Sequence, residues 1–278
     1  MDLTDYKKIT LPELQEIFIV RLKEVIEFFE KNNIEYFAIY GTTLGAFRHK
    51  GFIPWDNDID LGMTRDNYER FLKIAKQLEN GHFQILNHHF SKYVEHSLTK
   101  IAIKGLLCPE CYLKKNFDHG YHIDIFPYDS VSDNSEKTKK LAKKTNRIKK
   151  LLYFKTKNKS STWYKSIILF LYQLILLPWS TRRLAKKMDS LAQTYNQSEP
   201  NSKYVVDVIG ARSYDRGTIL RDCIKSTTIM DFSYLQIKVP VLCDVFLEKI
   251  YGPNYMTPAN IRLDKDAYFA YAKKDFVL

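Results

Sequence analysis

Apolar residues recur at helical spacing early in the chain. Leu14, Ile17, Phe18, Val25, Phe28 and Phe29 share one face of Leu11–Lys31, with charges between them. This spacing predicts a long amphipathic helix laid over a sheet, ended by Asn32-Asn33. Tyr36–Tyr40 reads as a short buried strand, followed by a turn at Gly41-Thr42-Thr43 and a short helix through Leu44–Arg48. In Asp56–Leu61, Ile59 and Leu61 alternate with aspartates, as in a strand buried on one face. Thr64 is placed to cap a helix over Arg65–Leu78, whose inner face carries Tyr68, Phe71, Leu72 and Ala75. Further strands are expected at Phe83–Leu86, Leu98–Ile103, within Gly120–Asp129, at Ser202–Ile209, Met230–Phe232 and Ile237–Pro240. A helix over Cys243–Tyr251, closed by Gly252-Pro253, ends the pattern. Strands mixed with helices predict an α/β (α+β) fold with a small mixed sheet.

The pattern breaks at Ser135. Eleven basic residues run from Lys137 to Lys159 with only Glu136 opposing them, and an apolar run from Trp163 to Trp179 follows. Lys165 and Gln173 interrupt that run, which is shorter than the ~20 residues needed to cross a bilayer. Trp at both ends and basic flanks suit a helix lying in a membrane interface. A buried core helix and a true span are the other two readings. The organisation expected is a core over 1–130, a helical basic and apolar insertion over 131–200, and a part over 201–278 that completes the core.

At 278 residues and 45% hydrophobic content, the chain can bury a sizeable core. Its net charge of +11 favours an anionic partner: phosphorylated substrate, acidic lipid or nucleic acid. MDLTDYKKIT lacks the apolar core of a signal peptide, which leads to an expectation of a cytoplasmic protein. Of the four cysteines, Cys108 and Cys111 have half-site spacing, and His119 and His122 stand near enough to complete a zinc site. Reduced structural thiols are the simpler reading.

Asp56, Asp58 and Asp60 alternate along an extended stretch, so all three carboxylates project to one face. Three like charges there make sense around a hard cation, as Mg²⁺ is held by a few carboxylates plus phosphate oxygens. An acidic, solvated turn after Pro54 is the plain alternative. Gly41 and Thr42, with Arg48 and Lys50 close by, offer backbone N–H groups and cations to a phosphate. Asp124 stands alone among apolar residues of a strand. It either satisfies a buried cation or belongs to the same site.

The run GTTLGAFRHKGFIPWDNDIDLGM, residues 41–63, resembles the signature of the LicD family of phosphotransferases, relatives of the fukutin-type enzymes. Asp124-Ile-Phe-Pro127 resembles that family's D-I-F-P motif. The order D-F, K-V-P-V, then L-x-x-I-Y-G-x-x-Y-M-x-x-P resembles its C-terminal part. The resemblance reaches from the first strand to Arg262 and is weakest across the insertion. Where LicD-like sequences often have a basic residue before an Arg-Asp pair, this chain has Ala102-Ile103-Lys104.

The resemblance implies a nucleotidyltransferase-like fold. It also implies transfer of a phosphorylated alcohol, phosphocholine above all, from a CDP-activated donor, with release of CMP. The implied acceptor is a hydroxyl of a cell-surface glycan or teichoic acid precursor, lipid-linked, which brings in an anionic membrane surface and a place on the inner face of the cytoplasmic membrane. Asp58 and Asp60 would hold Mg²⁺ or Mn²⁺ with help from Asp56, and Asp124 would be the base or a further ligand. Nucleotidyl transfer to a small molecule or RNA is the rival enzyme. A nucleic-acid-binding protein using Lys137–Lys159 is the rival of another class, but that run lacks the interleaved aromatics that stack on bases.

Overall fold

A computed structural model describes residues 3–108, 114, 120–158, 162–208, 214–258 and 270–277. Cys111 and His119 lie outside the described residues, and with them the zinc alternative. The chain begins with β1 (Tyr6–Ile9), α1 (Leu11–Lys31), β2 (Phe37–Ala38), α2 (Tyr40–His49), β3 (Ile59–Thr64) and α3 (Arg65–Ile74). Then come β4 (Phe83–Leu86), β5 (Thr99–Ile103), β6 (Leu106–Leu107), β7 (His122–Val131), and the helices α4 (Ser135–Thr156), α5 (Trp163–Ile175) and α6 (Thr181–Ala192). The last part holds β8 (Tyr204–Val206), α7 (Tyr214–Gly217), β9 (Thr218–Leu220), β10 (Thr227–Phe232), β11 (Leu235–Pro240), α8 (Cys243–Tyr251) and β12 (Ala270–Lys273).

The main sheet runs β2-β3-β7-β5-β4, and β8 and β9 extend it from β7. β3 and β7 are parallel and the other pairs antiparallel, so the sheet is mixed as expected. α1 starts at a capping box in which Thr10 N–H donates to Glu13 Oε2 at 2.6 Å and Glu13 N–H returns to Thr10 Oγ1 at 3.4 Å. Its inner face buries Leu14, Phe18, Leu22, Val25 and Phe29. Phe29 packs against Tyr36 and Phe71, with ring centroids 5.6 and 5.3 Å away. Burying each such side chain contributes about 1.5–3 kcal/mol, enough to seat helix on sheet without strong local propensity.

Several boundaries differ from the sequence reading, each for a local reason. α2 begins at Tyr40 rather than Leu44, because Tyr40 makes the corner in one residue with φ of +47°. Gly41, Thr42 and Thr43 therefore lie in its first turn. The aspartate strand begins only at Ile59, since Pro54-Trp55 forms a turn closed by Asp56 N–H donating to Ile53 O at 2.9 Å. The Thr64 hydroxyl accepts from the Asn67 side chain at 3.1 Å instead of capping the backbone of α3. The strand expected at 98–103 starts one residue later as β5. Of that expected at 202–209, the described residues 202–208 form a strand only over β8, Ile209 lying outside the described residues.

α4 leaves the end of β7, and the chain returns at β8, whose Val206 pairs with Asp129 of β7. Arg65 of α3 ties this excursion to the core. Its guanidinium donates to Asp129 at 2.7 and 2.6 Å and to Asp189 of α6 at 3.0 Å. α5 is the exception to ordinary packing: Leu169 is its one buried residue, which rules out the core-helix reading. Among the described residues, no helix is long and apolar enough to cross a membrane.

Candidate active site

Register alone assembles the centre of the site. Asp60 of β3 pairs with Asp124 of β7, and Asp124 pairs with Lys100 of β5. Laterally paired residues point to the same side of a sheet, so the three side chains form a row across adjacent strands. Asp56 and Asp58 reach the same place from the turn before β3. All four aspartates line a cavity of about 790 Å³, a size usual for small-molecule sites. Tyr40, Trp55, Phe126, Tyr251 and Tyr255 give its wall aromatic faces, and Arg48 and Arg216 supply positive charge.

The start of α2 positions the aspartates. Thr42 Oγ1 accepts the Asp60 N–H at 2.9 Å, and Ile39 N–H donates to Asp60 O at 3.1 Å. A Cβ on Gly41 would collide with the Asp56 carboxylate, so only glycine lets that group in. The Tyr40 corner is held by its hydroxyl, which donates to buried Asp207 at 2.8 Å. Arg48 donates to the Tyr255 carbonyl at 2.7 Å, which joins α2 to the segment after α8. Lys50 sits exposed at the end of α2, outside the residues that line the cavity.

The electrostatics divide the carboxylates into two kinds. Burial, then the neighbouring Asp58, pushes the Asp56 carboxyl well above the usual range. Burial raises Asp58 too, and the hydrogen bond from Asp56 tempers the rise. Burial, reinforced by Asp58 and Asp124, raises Asp60 strongly. Burial also acts on Asp124, yet Lys100 and His122 outweigh it and hold that carboxyl below its ordinary value. Lys100 Nζ lies 4.0 Å from Asp124 Oδ1 and 2.8 Å from His122 Nε2, and it pairs closely with Glu95. His122 Nδ1 faces the Gly120 carbonyl at 2.9 Å, and its Nε2 lies 3.4 Å from Asp124 Oδ1.

Only oxygen donors meet in the carboxylate group, and three of the four carboxyls are held up partly by one another's charge. Asp124 Oδ1 is buried with no hydrogen bond. That donor set fits a hard divalent cation held by Asp58, Asp60, Asp56 and Asp124. The tightly gathered ligand trio among the described residues lies elsewhere, at His88, His89 and Asp189. The aspartates instead border a wide space, as suits an ion that also takes waters and substrate oxygens.

Sequence reasoning singled out the aspartates, Gly41, Thr42 and Arg48. It missed Lys100 and His122 as neighbours of Asp124, because lateral pairing between strands leaves no mark along the chain. It also gave no site role to Arg216, Tyr251 or Tyr255, which line the cavity from the last third. The aromatic density around Tyr251 and Tyr255 was the available signal.

A mixed sheet thus presents carboxylates from adjacent strands to a ligand-sized cavity. Residues 33–169 match the family described as LicD/FKTN/FKRP, nucleotidyltransferase domain, and this stretch of the chain belongs to that family. The chain is 34% identical over 147 residues to the lipopolysaccharide cholinephosphotransferase LicD of Haemophilus influenzae, covering 51% of this chain and 53% of the relative. It is 32% identical over 132 residues to an uncharacterised protein of Rickettsia typhi, covering 46% and 40% of the two chains. A shorter match, 41% over 58 residues, links it to an uncharacterised protein of Rickettsia prowazekii, with 21% and 22% covered. The chain thus matches about half the length of the first of these curated relatives, and less of the others.

Proposed function

We propose that this protein is a cation-dependent phosphotransferase that moves phosphocholine, or a similar phosphorylated alcohol, from a CDP-activated donor to a hydroxyl of a surface glycan precursor. The observation that carries the reading is a single cavity combining four carboxylates, two arginines and five aromatic side chains. Asp58 and Asp60, with Asp56, would hold Mg²⁺ or Mn²⁺. Bound there, the cation would neutralise diphosphate charge and ease departure of the CMP oxygen. Arg48 and Arg216 are placed to meet the phosphates, while the aromatic faces suit a quaternary ammonium head group. The acceptor oxygen would bond to the phosphorus next to the alcohol as the bond to CMP breaks, its proton passing to the departing phosphate or to water. Positioning and charge neutralisation supply most of the acceleration. Lys100 and His122 hold the Asp124 carboxyl below its ordinary value against burial, which makes it a weak base and supports a ligand role.

The relative named for lipopolysaccharide supports a glycan acceptor, and α5 supports one carried on a lipid. The helix is packed inside out. Gln173 Nε2 donates to the Phe154 and Lys157 carbonyls, both at 2.9 Å, and Lys155 Nζ donates to the Leu176 carbonyl at 2.6 Å. These polar contacts bind it to α4, while Trp163, Ile168, Leu171 and Ile175 face outward. Lys165, Lys186 and Lys187 lie close by in sequence on α5 and α6. An apolar face with basic neighbours fits an anionic membrane surface.

The test is incubation with CDP-choline, CDP-glycerol and CDP-ribitol, Mg²⁺ and envelope glycan acceptors, with each half of the donor labelled. Head-group phosphate on the acceptor and free CMP support the proposal. The cytidine half on the acceptor would identify nucleotidyl transfer instead, and no turnover with any donor would remove the reading.

A further inference from the structure

The turn after β4 and the helix α6 meet at a cluster that the aspartate cavity does not include. His88, His89 and Asp189 each bring one metal-ligating atom to within 4.8 Å of the others. His88 is 2% exposed, and neither of its ring nitrogens has a hydrogen-bond partner. A buried imidazole with both nitrogens unmet loses the full hydration of two polar atoms, which native structures rarely tolerate. Its Nε2 lies 3.9 Å from Asp189 Oδ2, and the two imidazole rings lie 4.2 Å apart.

The surroundings hold these groups in place. Arg182 donates to the His88 carbonyl at 2.7 Å and to the His89 carbonyl at 3.0 Å, so both histidine backbones are fixed to α6. Asn87 Oδ1 accepts the His89 N–H at 2.9 Å. Asp189 accepts from Arg65 through Oδ1 and from Gln193 through Oδ2 at 2.9 Å, which leaves Oδ2 a free lone pair. Arg65 faces three carboxylates, Glu69, Asp129 and Asp189, which offsets the positive charge of Arg182 and Lys186 nearby. The His89 side chain is exposed and gives an ion a way in.

We infer that His88, His89 and Asp189 bind a divalent transition metal, zinc by ligand type, that staples α6 to the turn after β4. Two imidazoles and one carboxylate match the nitrogen and oxygen donors that zinc takes, and water completes a four-coordinate shell. The ion satisfies the orphaned ring nitrogens of His88. It also joins the helical excursion to the sheet at a second place, beside the Arg65–Asp189 pair.

The test uses the full chain, stripped with chelator and dialysed against Zn²⁺ in excess Mg²⁺, added to compete for the aspartate cavity. Bound zinc is counted by elemental analysis, and Co²⁺ is substituted to read coordination from its visible absorption. Wild type is expected to hold one zinc per chain and to melt at a higher temperature with zinc than without. His89→Ala, whose ring is exposed, is expected to fold normally, bind zinc about tenfold or more weakly and lose the cobalt band. Asp58→Asn is expected to keep the zinc. Absence of zinc from wild type, equal binding by His89→Ala, or loss of zinc in Asp58→Asn would each overturn the assignment.

Discussion

Asp60 and Asp124 stand side by side on parallel strands, and Lys100 occupies the next place in the same row. One carboxyl of the pair is pushed towards protonation and the other is held ionised. The difference comes from the neighbours: Asp60 meets other carboxylates, whereas Asp124 meets Lys100 and His122.

Asp58→Asn and Asp60→Asn are expected to reduce transfer by on the order of a hundredfold or more while preserving the fold. Without metal, either change relieves the crowding of buried carboxyls that burial and mutual repulsion push towards protonation, so thermal melting of the stripped protein should stay level or rise slightly. Near wild-type turnover of either variant in saturating Mg²⁺ would dismiss the cation assignment.

For Asp124→Asn, a Mg²⁺ titration separates two roles. A ligand's loss shifts the half-saturating Mg²⁺ concentration upward, with turnover partly restored at high Mg²⁺. A proton acceptor's loss lowers turnover by about a hundredfold with the Mg²⁺ dependence unmoved. The first outcome is expected.

Gly41→Ala puts a methyl group where the Asp56 carboxylate lies. Small displacements of a reacting geometry cost up to about a hundredfold in rate. Turnover is therefore expected to fall at least tenfold, with far-UV circular dichroism unchanged. Full activity would show that Asp56 is dispensable.

Glu95→Gln tests the support beneath Asp124 through pH. Burial raises the Glu95 carboxyl, but Lys100 and His96 outweigh it, so its folded pKa lies below its ordinary 4.5. Between those two values the unfolded chain binds more protons, and stability falls as pH drops through that window. Breaking a buried pair costs roughly 3–5 kcal/mol at neutral pH. The gap between wild type and Glu95→Gln in urea unfolding is expected to be widest near pH 7 and to shrink below pH 4.5. A gap that does not change with pH would show that the ion pair contributes nothing.

Ile168, Leu171 and Ile175 are 56%, 53% and 71% exposed, so replacing all three with Ser leaves the core untouched. Burying each in a lipid interface contributes about 1.5–3 kcal/mol, and each nearby Lys adds about 1 kcal/mol on an anionic surface. The triple variant is expected to melt like wild type, to leave anionic liposomes and to lose activity on lipid-linked acceptor, while donor hydrolysis persists. Indifference of the wild type to anionic liposomes at low salt would end the docking proposal.

Periodicity along the chain located α1 and α8 at their observed limits, because each is governed by its own apolar stripe and end signals. Asp56, Asp58 and Asp60 stood out as a group through spacing in a short segment, and all three line one cavity. The start of α2 was misplaced because one left-handed residue, Tyr40, does the work of a whole turn. Lys100, Glu95 and the wall from Tyr251 to Thr257 depend on contacts between distant segments, which no local pattern encodes. α5 was ambiguous for a different reason. Its composition fits a core, and only the polar contacts of Gln173 reveal which way it faces.

The outward set of α5 also governs how the protein behaves as a colloid. In detergent-free buffer that face meets only water or another copy of itself, and patches of this kind drive self-association. Raising the concentration therefore favours clusters, and a mild surfactant that coats the helix disperses them. Light scattering with and without surfactant reads the difference directly.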